Sequence, residues 1–107
     1  MSFTHTDQHR EFSSEKLRKS ALFETPQMFC DTYCLEPGQE QRIHAHEGAT
    51  KFYLVLEGQA AITIGEERRT LRSGGLAWAE SGEVHGVSNI SREPCVLLVA
   101  MAPHPGL

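Results

Sequence analysis

His44 and His46 stand one residue apart in the stretch HAHEGATK, residues 44–51, a spacing with a specific chemical use. On a helix, positions i and i+2 point about 200° apart. On a β-strand they share a face, and with a rise of about 3.3 Å per residue they stand about 7 Å apart. Both imidazoles then reach one metal ion at bond lengths of about 2.0–2.1 Å. A third histidine, His85 in SGEVHGVSN, joins them only from a different strand, which a closed sheet provides. Three convergent imidazoles hold a divalent ion and leave positions open for water or substrate. The expected cofactor is a divalent transition metal (Fe, Ni, Zn, Mn or Cu), and no organic cofactor motif appears.

The remaining histidines read differently. His5 and His9 have the i, i+4 spacing of a helical metal pair, but they lie in a polar terminal segment and are expected to be solvated. His104 sits between two prolines in APHPG, where the chain is extended, and has no assigned role.

The elements that must position the three histidines follow from the rest of the chain. At 107 residues it supports one domain with a modest core. A net charge of −4 argues against a nucleic-acid partner or an anionic membrane surface, each of which needs a basic stripe. The segment MSFTHTDQHREFSSEK lacks the apolar centre of a signal peptide, and the longest apolar run, CVLLVAMA, is too short to span a bilayer. A cytoplasmic location is expected. Cys30, Cys34 and Cys95 are odd in number with no C-x-x-C spacing, as suits free buried thiols in a reducing compartment.

Residues 1–25 read as a polar tail with a short helical turn over Ser13 to Leu22, where S-S-E-K-L-R-K-S carries good helix formers. Residues 26–107 form the single domain. There the pattern is of short strands broken by glycine turns: MFCDTYCL, QRIHAH, KFYLVL, QAAITI, RRTL, LAWA, VHGVSN and CVLLVA. Such runs at near-regular spacing indicate an all-β antiparallel sandwich or barrel. Glu57-Gly58 and Gly65-Glu66-Glu67 read as hairpin turns. FYLVL at 52–56 and VLLVA at 96–100 are apolar at every position, so their outer face needs a cover. A homodimer is the favoured cover, with the N-terminal segment folded back as the other.

Two motifs then carry a resemblance. The spacing G-x5-H-x-H-x4-K-x6-G runs through Gly38, His44, His46, Lys51 and Gly58, and G-x5-E-x-G-x2-H-x3-N runs through Gly74, Glu80, Gly82, His85 and Asn89. This resembles the two motifs of the cupin superfamily, with Lys51 where the family has a glutamate and Glu80 where it has a proline. The resemblance implies an antiparallel double-stranded β-helix, or jelly-roll, barrel of the RmlC-like kind. It also implies a metal near the barrel mouth on His44, His46 and His85.

Lys51 is the consequential departure. An ammonium about 5 Å from a doubly charged ion is repelled by roughly 6–7 kcal/mol at an effective dielectric near 20. Three outcomes are open: Lys51 swings to the mouth and solvent, it loses its proton, or no metal binds. The first is expected, because the long stem lets the head escape. Glu47 replaces the missing carboxylate only if the backbone turns at Gly48.

Fold does not set function here, since the resembled superfamily includes oxygenases, isomerases, decarboxylases, binders and storage proteins. The first expectation is a mononuclear metalloenzyme, of oxygenase or isomerase type, acting on a small polar molecule. Lys51 and Tyr53 are then the candidate catalytic groups, and Tyr53 and Trp78 the candidate pocket walls. The alternative is a small-molecule or metal binding or sensing module without turnover, favoured by the lack of a dependable general acid or base.

Overall fold

The computed structural model describes residues 2–105. Nine strands run in chain order: β1 (Arg18–Glu24), β2 (Phe29–Leu35), β3 (Glu40–His44), β4 (Thr50–Glu57), β5 (Gln59–Ile64), β6 (Glu67–Arg72), β7 (Leu76–Ala79), β8 (His85–Ser88) and β9 (Cys95–Ala102). They form two antiparallel sheets packed face to face, one in the order β1-β2-β9-β4-β7 and one in the order β3-β8-β5-β6. This is the jelly roll. Each of the eight expected strand segments is found, and the turn at Gly58 shows why a glycine is needed. Its φ is +76°, and a Cβ there would stand 2.4 Å from the Pro94 carbonyl oxygen.

β1 corrects the sequence reading. A helical turn is expected over Ser13 to Leu22, whereas Arg18–Glu24 is a strand paired antiparallel with β2 from Arg18↔Cys34 to Glu24↔Phe29. Local helix propensity differs between residues by only tenths of a kcal/mol. The ladder to β2 satisfies the same backbone groups and outweighs that preference. The one helical element among the described residues is a 3-10 turn at Thr6–His9.

The core lies between the sheets, where Tyr33, Leu35, Tyr53, Val55, Ile62, Val87, Leu97 and Val99 pack together. The outer face of β9 and β4 is apolar as well, and the N-terminal segment lies across part of it. Thr32 Oγ1 donates to the His9 carbonyl at 2.5 Å, and Arg10 reaches Glu57 at 2.9 Å. That second contact depends on a register shift in β4 between Val55 and Glu57. Simple alternation puts Glu57 on the inner face with Lys51 and Tyr53; the bulge turns it out. The three cysteines are free and buried.

Asn89 closes the end of the second motif. It is buried and donates to the carbonyls of Leu35 and Glu93 at 2.9 and 2.8 Å, while its own oxygen accepts from the Ser91 amide and hydroxyl. The loop between β8 and β9 is thereby held to the end of β2.

Candidate metal centre

His44 and His85 face each other as a cross-strand pair on β3 and β8. A bulge makes this possible. Between the pairs Gln41↔Val87 and His44↔His85, β3 advances three residues and β8 only two. Without that extra residue, alternation from the inward Gln41 would bury Ile43 and send His44 outward. With it, Ile43 is 59% exposed and His44 turns in. Gly86 admits the close approach: a Cβ there would meet the Gln41 carbonyl oxygen at 2.9 Å and Ile43 Cα at 3.2 Å.

His46 lies just beyond the end of β3, in a loop tied to the turn before β8. Gly82 N–H donates to the His46 carbonyl at 2.9 Å, and Gly48 N–H donates to Ser81 Oγ at 2.7 Å. The result is a tight group. Ring centroids are 4.9 Å apart for His44 and His46, 4.3 Å for His44 and His85, and 5.4 Å for His46 and His85. One nitrogen from each lies within 4.8 Å of the others. Glu47 is not in this group; its carboxylate lies against Gly82.

Backbone carbonyls orient two of the rings. His44 Nδ1 bonds the Arg42 carbonyl at 2.7 Å, and His85 Nδ1 bonds the Glu83 carbonyl at 3.0 Å. A carbonyl only accepts, so each Nδ1 carries the hydrogen and each Nε2 presents its lone pair. His85 Nε2 is buried with no hydrogen-bond partner. Burial lowers the pKa of all three imidazoles. For His85 it does so to about 4, with Lys51's charge a further contribution. Neutral rings that present ring-nitrogen lone pairs, that of His85 unpartnered, fit a metal ion.

Lys51 does not swing to solvent. It is 3% exposed, with Nζ 3.4 Å from both His44 Nε2 and Gln41 Oε1. Its inward position on β4, opposite Met101 and Ala79, points the stem into the barrel. The tyrosine rings of Tyr33 and Tyr53 lie 5.6 and 5.4 Å from the ammonium, a cation–π environment that holds the head where it is. Burial, with help from Lys19, lowers its pKa to about 8.

Beneath the histidines, Tyr53 OH donates to Gln41 Oε1 at 2.8 Å and Gln41 Nε2 donates to Tyr33 OH at 3.1 Å. Tyr53 is fully buried, its ring 6.2 Å from that of His85, so it packs behind the histidines and does not itself line the cavity above them. That cavity has a volume of about 440 Å³. Among the described residues its lining carries Lys19, Arg42 and Lys51 but no carboxylate, with Phe29, Met101 and Pro105 as apolar wall.

The family described as the cupin domain matches residues 31–101, two thirds of the sequence. The chain is a cupin. A solved structure from Thermus thermophilus is similar to this cupin over 98% of this chain and 100% of its own, with a TM-score of 0.95 and 40% identity. An uncharacterised protein of Streptomyces coelicolor is 33% identical over 73 residues, covering 66% of this chain and 67% of its own length. A Thermotoga maritima protein named as oxalate-binding is 27% identical over 73 residues, 68% of this cupin. The match spans 60% of that relative's length.

Trp78 stands apart from the histidines. It is 55% exposed on the outer side of β7 and lines a second cavity, of about 290 Å³, with Ile64, Leu71 and Leu76. Its register partner Phe52 shows why: positions 52 and 78 share the outer face, whereas Lys51 and Ala79 share the inner one. Sequence reasoning missed Gln41, Lys19 and Arg42. Gln41 was detectable in principle, as a polar residue three before His44, but only the bulge gives it the same face. Among the described residues, no helix is long and apolar enough to cross a membrane.

Proposed function

We propose that His44, His46 and His85 hold one divalent transition metal ion, and that this cupin acts there on a small polar molecule as a mononuclear metalloenzyme of oxygenase or isomerase type. One observation carries the reading: His85 Nε2 is buried without a partner, and its ring packs against two other histidines. A buried polar atom left unsatisfied costs about 1–3 kcal/mol, and a metal ion would satisfy it. When bound, the ion supplies Lewis acidity or a site for oxygen chemistry. Lys51 places a positive charge, or a proton, beside the bound molecule, and Tyr53 braces Gln41 underneath.

The Thermotoga maritima relative makes oxalate a sensible first ligand to test. The test of the centre itself is elemental analysis of untagged protein, wild type against His46→Ala. About one metal per chain, lost in the variant, supports the reading; no metal bound or acquired from added Fe, Ni, Zn, Mn or Cu removes it.

A second reading, a binding or sensing module without turnover, is favoured by the cavity lining, which among the described residues offers no carboxylate as general acid or base. Turnover of a small-molecule panel by the metal-loaded protein separates the two. Exposed Leu76 and Trp78 beside Phe52 and Leu54 support a homodimer, and three free cysteines support a cytoplasmic setting.

A further inference from the structure

Charge balance at the three histidines is unusual. The imidazoles are neutral donors, and among the described residues no carboxylate lines the cavity above them. Asp31 is the acid whose charge reaches Lys51 from the inner face of β2, yet it forms no ion pair with it within the 4.0 Å of a salt bridge. Glu47 is turned to Gly82. The Lys51 ammonium, meanwhile, sits 3.4 Å from His44 Nε2 and is nearly inaccessible to water. A divalent ion entering this group therefore meets a like charge that Asp31 offsets only at a distance, in a medium that screens poorly.

A small anion changes the sign of that interaction. Placed between the ion and the ammonium, it attracts both, and each then binds better in the presence of the other. The cavity has room for it, at about 440 Å³, and Lys19 and Arg42 at the rim add to the attraction. Phe29 and Met101 offer an apolar wall to an organic body. We propose that Lys51, standing beside His44, makes metal and ligand binding interdependent: the centre takes up its divalent ion together with a small organic carboxylate, whose charge supplies what the protein's own side chains do not. This rests on the metal reading above and adds to it a ligand class and a coupling.

The test is calorimetric titration of zinc into the full chain, in acetate and in chloride at equal pH and ionic strength. Acetate competes weakly for zinc in solution, which works against the expected result. Wild type should bind zinc about tenfold or more tightly in acetate than in chloride. Lys51→Glu, which brings its own carboxylate, should bind zinc tightly in chloride and respond to acetate by less than about twofold. Lys51→Met, which keeps the stem and removes the charge, should bind zinc more tightly than wild type in chloride and show a reduced acetate effect. Equal zinc affinity of wild type in the two salts overturns the coupling, as does an acetate effect in Lys51→Met as large as in wild type. Failure of wild type and both variants to bind zinc in either salt removes the three-histidine reading itself, which is a different result.

Discussion

Lys51 Nζ lies 3.4 Å from His44 Nε2, inside the barrel and 3% exposed. A residue expected to escape toward water instead stays in the interior, its ammonium facing the lone pair of a neutral imidazole. Burial of the ammonium lowers its pKa to about 8 from an ordinary 10.5, so the folded state carries a penalty for the charge that the unfolded chain does not.

That penalty has a defined pH signature. Between about 8 and 10.5 the unfolded chain holds the Lys51 proton and the folded protein has released it, so the metal-free protein gains stability as pH rises through this window. Lys51→Met should be more stable than wild type at pH 7 by on the order of 2–3 kcal/mol and should lack the Lys51 share of that rise. Urea denaturation across the window measures both. A variant less stable than wild type at pH 7 would show that Lys51's contacts outweigh its desolvation.

The histidines act at the acid end. His85 is 2% exposed and keeps a neutral ring until about pH 4, whereas an unfolded histidine takes up a proton near 6.5. The metal-free protein should therefore lose stability as pH falls from 6.5 toward 4, by roughly 3 kcal/mol from His85 alone. His44 and His46 are shifted in the same direction and add to the slope. Denaturation in the presence of a chelator, for wild type and His85→Leu, reads the difference; parallel pH profiles for the two proteins would contradict it.

Gln41 joins both tyrosines to the site. Replacing it with leucine strands the buried Tyr33 and Tyr53 hydroxyls together, which should cost about 2–4 kcal/mol. Tyr53→Phe leaves Gln41 Oε1 with Lys51 as donor and should cost about 1 kcal/mol. Urea midpoints for the two variants give the ranking, and the reverse order would mean that Gln41 has other support.

Gly86→Ala probes the approach of β3 to β8. The added methyl falls 2.9 Å from the Gln41 carbonyl oxygen and 3.2 Å from Ile43 Cα, both backbone atoms that side-chain rotation cannot move. A loss of about 1–3 kcal/mol is expected, along with weaker zinc binding as His85 is drawn away from His44. Thermal melting and zinc titration measure the two effects. Wild-type values for both would show that the strands part without disturbing the histidines.

The outer surface of β7 carries the last prediction. Trp78→Glu places a charge beside Leu76, which is 52% exposed, and Phe52. If that surface covers a second copy, the wild type sediments as a dimer and the variant as a monomer, with little change in stability. A monomeric wild type would leave the N-terminal segment as the cover of that sheet.

What the sequence determined by itself was eight of the nine strands and the three histidines worth watching. Apolar runs between glycine turns mark strands because a strand repeats every two residues, and the two glycine-histidine spacings single out His44, His46 and His85, which the fold brings within reach of one another. The parity of side chains along those strands was not legible. A single extra residue in β3 turns Ile43 out and His44 in, and a register shift in β4 turns Glu57 out to Arg10. Residues 18–24 form a strand because β2 offers an unpaired edge, which local propensity does not record. Lys51 is buried because β4 runs between β7 and β9 with that position facing inward, and the neighbouring tyrosines hold the ammonium there. Local sequence sets the period of a strand, whereas bulges and burial are settled only when strands distant in the chain pair and close over one another.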